Sequence, residues 1–381
     1  MIVSSQNAIT PPRGWNSYDS FSWIISEEEY LQNANIISQK LLPYGYQYAI
    51  VDYLWYRSLK GDSNSLGFDM IDKWGRMLPD PERWPSSRGG GGFTEVANKV
   101  HSMGLKFGIH LMAGISTQAY NKNTPILDTA TGQPYMESGR VWNAKDIGIP
   151  SRACKWMTNG FMAINAKTGA GKAFLRSIYE LYASWGVDFV KLDCVFGEDL
   201  DLDEITFVSE FFNGLERPIV FSLSPGVSAT PLMANSVSSL VNTYRVTGDD
   251  WDEWSAILVH FNVARDFATS NLIGGKGLKG ETYVAFFNLN NEKTTISASI
   301  VDLAMVHPGR RKFRLCSGNE MWSGRTIQTN NMFSAEVQGH GCALFVLQCS
   351  RICPKILFEY LLFIFQVTVM FWFVFCQVMV V

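Results

Sequence analysis

Histidine is scarce in this chain, five in 381 residues and scattered, and the seven cysteines form no C-x-x-C pair, so no zinc site can be read from it. An excess of positive charge is also missing. Against 32 Lys and Arg stand 35 Asp and Glu, a net charge of -3, without the basic footprint that phosphate backbones demand. Nucleic acid is excluded as a partner on that ground, and no motif calls for a cofactor. The start, "MIVSSQNAITPPRGWNS", lacks the charged opening and long apolar run of a signal peptide. Aromatic residues, by contrast, are in excess: 12 Trp, 14 Tyr and 25 Phe, several beside Gly and Asp rather than inside apolar stripes. Sugar sites use rings this way, and so do cores.

At 47% hydrophobic, the chain carries enough apolar material for one large domain plus a smaller one. Its first 270 or so residues alternate short apolar strands with amphipathic helices. Strands are expected at Gly14–Tyr18, Gln47–Asp52, Lys106–Met112, Val187–Asp193, Pro218–Ser224 and Ser239–Val246, each ending in polar residues. Ser26 followed by Glu29 opens the first helix as a capping box, and further helices are expected over Phe93–Met103, Lys172–Trp185 and Leu202–Leu215. Repeated βα units imply an α/β fold with a parallel sheet and right-handed crossovers. Between Asp52 and Phe93 lies a long connection rich in Gly, Pro and Trp, of the kind that is functional inside a compact domain.

After "GGKGLKG" at 274–280 the pattern changes to short alternating strands parted by turn residues, with no helix: a small antiparallel β-domain over 281–348, behind a glycine-rich boundary. From 356 to 381 an apolar run follows, about the length that crosses a bilayer. Trimmed to 360–381 it is a candidate membrane segment, although it lacks helical periodicity.

The stretch "FVKLDC" poses the chemical question. An apolar strand that ends on Lys191 and Asp193 is what a parallel strand looks like where its C-terminal end opens into a cleft. Side chains two apart on a strand share a face, so this Lys and this Asp lie together.

"PPRGWNSYDSF", "AIVDYLWY", "GLKFGIH", "WGVDFVKLDC" and "YRVTGDDWDEW", in this order, resemble glycoside hydrolase family 27, the α-galactosidase family, from about Pro11 to Leu347. The resemblance implies a (β/α)8-type TIM barrel over 11–274 and a C-terminal β-domain. It points to a plant-type member close to the β-L-arabinopyranosidase-like subgroup. It makes Asp193 the catalytic nucleophile and Asp249 the acid/base, with Tyr18, Asp52, Tyr53, Trp55, Lys191 and Arg245 as sugar-binding residues. A retaining glycosidase needs two such carboxyls roughly 5–5.5 Å apart, one ionised to attack the anomeric carbon and one protonated to release the leaving oxygen. Cys154 and Cys194 match a family disulfide, which would require an oxidising compartment. The implied substrates are galactose- or arabinopyranose-bearing oligosaccharides or glycans, and the implied location is secreted or cell wall.

Three departures from the family stand out. Tyr53 replaces the second Asp of a strand-two pair that holds the 6-hydroxyl, which favours L-arabinopyranose, a galactose without that hydroxymethyl group. Trp23 and Leu54 replace the two cysteines of another family disulfide. Only six βα units precede the β-domain where a closed barrel needs eight. The expected barrel is therefore shortened to six units, and an inactive truncated or splice product, tethered through the apolar tail, is the alternative reading.

Overall fold

In a computed structural model the protein is described over residues 12–195, 197–251, 253–269, 281–306 and 313–351. It divides into two compact units, the first running to Gly248 and the second beginning at Asp249. The glycine-rich boundary at 274–280, Asp252 and the apolar tail at 356–381 lie outside the described residues.

Six parallel strands organise the first unit: β1 (Gly14–Asn16), β2 (Tyr48–Val51), β3 (Lys106–Met112), β4 (Phe189–Asp193), β5 (Val220–Ser224) and β6 (Thr243–Tyr244), hydrogen-bonded in that order. Among the described residues no further strand joins this sheet. The shortened barrel expected from the sequence is what forms, with β1 and β6 at its edges.

The crossover helices form where the sequence gives them caps and an apolar stripe. Helix α1 (Glu27–Lys40) begins at Ser26, whose Oγ accepts the Glu29 amide while the Glu29 carboxylate accepts the Ser26 amide, and it buries Tyr30, Ala34 and Ile37 at helical spacing. Helix α2 is Thr94–Ser102, and α3 (Gly169–Ser184) is capped by Thr168. Asp201 caps α4 (Leu202–Asn213) by accepting from the amides of Asp203 and Glu204. The short α5 (Pro231–Val237) precedes β6.

Two buried arginines organise the long connection after β2. Arg57 pairs with Asp69 at 2.7 Å and donates to the carbonyls of Asp62 and Ser63. Arg83 donates to the carbonyls of Ile25, Leu54, Arg57 and Trp23. A guanidinium has five donors in a fixed fork, and here that fork holds segments with little secondary structure of their own.

In the second unit, β7 (Thr282–Phe287), β8 (Thr294–Ser299), β9 (Phe313–Glu320), β10 (Thr326–Thr329), β11 (Met332–Val337) and β12 (Cys342–Arg351) form two antiparallel sheets, one ordered β7-β12-β9-β10 and one pairing β8 with β11. Phe286 and Phe345 of the first sheet meet Phe333 of the second with ring centres 5.1 to 5.3 Å apart, at the heart of a core that includes Val337 and Leu347. Cys316 and Cys349 face each other across β9 and β12 and are disulfide-bonded. Helix α6 (Trp254–Thr269) precedes the sheets. One expectation is corrected here: a helix, α7 (Ile300–Val306), interrupts the strands. "SIVD" is its capping signal, with the Ser299 hydroxyl accepting the Asp302 amide and the Asp302 carboxylate accepting from Ser299, while Ile300 and Leu303 turn into the core.

One buried carboxyl ties α4 to the end of β3. Glu204 accepts the Gly114 amide at 2.9 Å through Oε1, and its Oε2 has no hydrogen-bond partner among the described residues. Gly114 sits at φ +80°, and a Cβ there would lie 2.0 Å from the Met162 carbonyl oxygen, so only glycine fits. Its neighbour Ala113 donates to the carbonyl of Asp193 at 3.0 Å. Burial pushes the Glu204 carboxyl up to about 7 from 4.5; the nearby Asp201 adds to this, while the Gly114 amide and Arg152 oppose it. The folded chain thus keeps a proton that the unfolded chain releases near 4.5, so stability falls as pH rises through the window between these values. Glu204→Gln, which retains the acceptor, is expected to remove this slope and to gain on the order of 3 kcal/mol relative to the parent above pH 8, a difference that vanishes near pH 4. Urea unfolding of both proteins across pH 4 to 9 measures it, and parallel stability curves would refute the assignment.

Candidate active site

Along β4 the side chains alternate, with Val190 and Leu192 buried on one face and Lys191 and Asp193 reaching the other. In register, Lys191 lies beside His110 of β3 and Ser222 of β5, which brings His110 to the same face. The His110 imidazole Nε2 is 3.2 Å from Asp193 Oδ2. Asp52 follows directly on β2, and its Oδ2 lies 2.9 Å from the Lys191 ammonium and 2.5 Å from the Asn16 side-chain amide, which donates to it. The Asp52 amide donates to the Ser17 hydroxyl at 3.0 Å. Four strand ends thus converge on two carboxylates and one ammonium.

Burial alone would raise both carboxyls. In Asp52 it is overcome by the Lys191 ammonium, His110 and Asn16, which hold the group well below the ordinary carboxylate range. Asp193 is likewise lowered: burial opposes ionisation, but the hydrogen bond and charge of His110, the Lys191 ammonium and the Cys194 amide prevail. Lys191 is raised, because Asp52 and Asp193 outweigh its own burial and the repulsion of Arg245. The result is an ionised carboxylate at a strand end, oriented from two sides and facing a cation. Such a group can attack an electrophilic carbon or hold hydroxyl groups.

Rings wall this cluster. Tyr53, buried, meets Tyr18 edge-on at 6.2 Å, His110 edge-on at 5.8 Å and Trp156 at 5.4 Å, while its hydroxyl rests on the Met157 sulfur at 3.3 Å. Burial raises the phenol, so it is a neutral donor. Tyr18 is half-buried. Trp55 is a correction: its ring has no exposure, packs among Tyr56, Phe93, Tyr182 and Trp185, and donates Nε1–H to the His110 carbonyl at 2.8 Å. It supports the cluster from behind and cannot face a ligand. Cys154 and Cys194 are disulfide-bonded with Cα atoms 5.7 Å apart, which fixes the 154–157 turn beside Asp193.

Arg245 follows β6, anchored by its amide on the Leu223 carbonyl at 3.0 Å, and its charge is felt at Lys191. Asp249 is the first residue of the second unit and is exposed there; its neighbour Asp250 pairs with His260 at 3.1 Å. The structure therefore brings together Tyr18, Asp52, Tyr53, Lys191, Asp193 and Arg245 within the first unit. Sequence reasoning passed over Asn16, His110 and Trp156. For His110 a signal existed: a lone polar residue within the apolar run 107–112, two places before the end of β3. Among the described residues one trio could hold a metal, Cys154, Cys194 and Asp199, and both of its sulfurs are in the disulfide.

Comparison with known proteins places this geometry in context. Residues 272–347 match the alpha galactosidase C-terminal beta sandwich domain. An α-galactosidase from Coffea arabica is 28% identical over 258 residues, 67% of this chain and 51% of its own length. The α-galactosidase mel1 of Schizosaccharomyces pombe is 25% identical over 254 residues, 65% of this chain and 44% of its own. The chain thus spans about half the length of these curated relatives. Among solved structures, a family 27 β-L-arabinopyranosidase from Geobacillus stearothermophilus superposes with a TM-score of 0.76 at 24% identity, covering 93% of this chain and 98% of that one. α-Galactosidase I from Mortierella vinacea gives 0.60 at 16%, covering 91% and 99%. This chain is thus similar in sequence to α-galactosidases, in fold to a family 27 enzyme, and over residues 272–347 to the α-galactosidase C-terminal domain.

Proposed function

We propose that this protein is a retaining glycoside hydrolase that releases terminal α-D-galactosyl or β-L-arabinopyranosyl groups, with Asp193 as nucleophile and Asp249 as acid/base. One observation carries the reading: Asp193 is held ionised at the end of β4 by His110, Lys191 and the Cys194 amide. In the first step the Asp193 carboxylate bonds to the anomeric carbon while Asp249 gives its proton to the departing oxygen. In the second, Asp249 takes a proton from water, whose oxygen displaces Asp193 from the same carbon. Asp52, Lys191 and Arg245 hold sugar hydroxyls, and Tyr18 packs on an apolar ring face. An ammonium already shared with Asp52 makes the cluster a poor host for a metal ion, which disfavours a metal-dependent alternative.

Tyr53 supports a preference for arabinopyranosides. Its ring stands where a second carboxylate would grip a hydroxymethyl group, and its hydroxyl is engaged by Met157. Two disulfides fit a secreted or cell-wall location, where such bonds persist. Among the described residues no helix is long and apolar enough to cross a membrane. The reading of an inactive product has one observation in its favour, a sheet whose edges no further strand joins among the described residues. Turnover by the full chain decides between them.

The full chain is expected to hydrolyse nitrophenyl β-L-arabinopyranoside and nitrophenyl α-galactoside, and Asp193→Ala to lose on the order of 10⁴ or more in kcat. Added azide should then restore release of nitrophenol from the variant by taking the vacated position. Equal rates in parent and variant would dismiss the assignment, and no turnover by the parent would favour the inactive product. Tyr53→Asp is expected to shift the ratio of kcat/KM values towards the galactoside by about 10-fold or more. An unchanged ratio in a folded variant would remove Tyr53 from substrate selection.

A further inference from the structure

Isolated apolar side chains on a protein surface need no explanation. Trp156 is not isolated. Half of it is exposed, 52%, while its other side packs on Tyr53 with ring centres 5.4 Å apart and planes at 52°. Through Tyr53 and His110 it stands three contacts from Asp193.

Its backbone is held from several directions. Cys154, two residues earlier, is bonded to Cys194, which directly follows Asp193. The Met157 amide donates to the Cys154 carbonyl at 3.2 Å, and the Gly160 amide donates to the Met157 carbonyl at 2.8 Å. The Lys155 amide donates to Asp199 at 3.2 Å, and the Met157 sulfur accepts the Tyr53 hydroxyl. An indole presented on so constrained a turn loses little further freedom when something packs on it. Exposure rises outward along the cluster, from 3% at Asp52 and 9% at Tyr53 to 52% at Trp156, which puts Asp52 on the floor and Trp156 on the rim. A terminal sugar held by the floor leaves its leaving-group side at the rim.

We infer that Trp156 is a stacking platform for a second sugar ring, the one on the leaving-group side of the cleaved bond, so that the natural substrate is an oligosaccharide or glycan rather than a glycoside of a small alcohol. This rests on the reading of Asp193 as the centre that cleaves a terminal pyranosyl group. The exposed indole face offers a broad apolar surface matched to the C–H face of a pyranose, with the ring hydroxyls left in water. A side chain serving only to cover Tyr53 would need no indole.

The test uses the full chain carrying Asp193→Asn, which cannot turn over, and measures binding by calorimetry. The probes are methyl β-L-arabinopyranoside, methyl α-galactoside and a disaccharide ending in each of these sugars. Adding Trp156→Ala is expected to weaken the disaccharides about threefold to tenfold and the methyl glycosides by less than about twofold, with Trp156→Phe recovering most of the loss. Equal weakening of both probe classes would overturn the inference by making Trp156 part of the terminal-sugar pocket, and no weakening of either would overturn it outright. If the chain with Trp156 intact binds no methyl glycoside, the underlying reading of the site fails, and the platform fails with it.

Discussion

The Lys191 ammonium is the interaction on which the site depends. Two carboxylates facing one small space repel each other, and without a cation one of them would take up a proton. Lys191 contacts Asp52 at 2.9 Å and its charge is felt at Asp193, so both stay ionised despite burial. The contact is not between neighbouring strands: β3 lies between β2 and β4, so the two backbones are about 9.5 Å apart in the sheet. The length of a lysine stem spans this gap over the strand that carries His110, and no shorter cation would. Truncating such a half-buried cation would leave uncompensated negative charge, which is far more costly than the net worth of the ion pair itself.

The two strand ends that carry the carboxylates are built alike. Asp52 and Asp193 each accept the amide of the following residue at 2.8 Å. Shortly afterwards the chain enters the left-handed region without a glycine, at Leu54 (φ 55°) and Cys194 (φ 58°). Each such residue costs about 1 kcal/mol or more and persists only when its surroundings impose it. Leu54 is imposed by Arg83, which donates to its carbonyl, and Cys194 by its bond to Cys154. The buried arginine and the disulfide thus serve one purpose, to hold a sharp exit from the strand that turns a carboxylate back on its own backbone.

Much of this was legible in the sequence, because the signals were local. The six strands announce themselves as apolar runs ending in polar residues, α1 as a stripe capped at Ser26, and α4 as an apolar stripe. Lys191 and Asp193 could be put on one face by counting alone. What escaped depended on distance along the chain. His110 joins Asp193 from 83 residues away through the register of β3 against β4. The Met157 side chain reaches Tyr53 across 104 residues, and no pattern in either segment foretells it. Trp55 misled because a Trp near a site motif reads the same whether it faces the cleft or backs it. Helix α7 was missed because the alternation of "TTISASIVD" continues to look like a strand past the serine that caps the helix.

The sheet's brevity at its margins has its own consequence. β1 spans three residues and β6 only two, so each flank exposes just a few backbone donors and acceptors. A long bare flank would invite an intruding strand from another molecule, zipping edge to edge. Here an intruder would find hardly a rung to grip. Among the described residues the sheet is not closed into a ring, yet it offers little edge for such pairing.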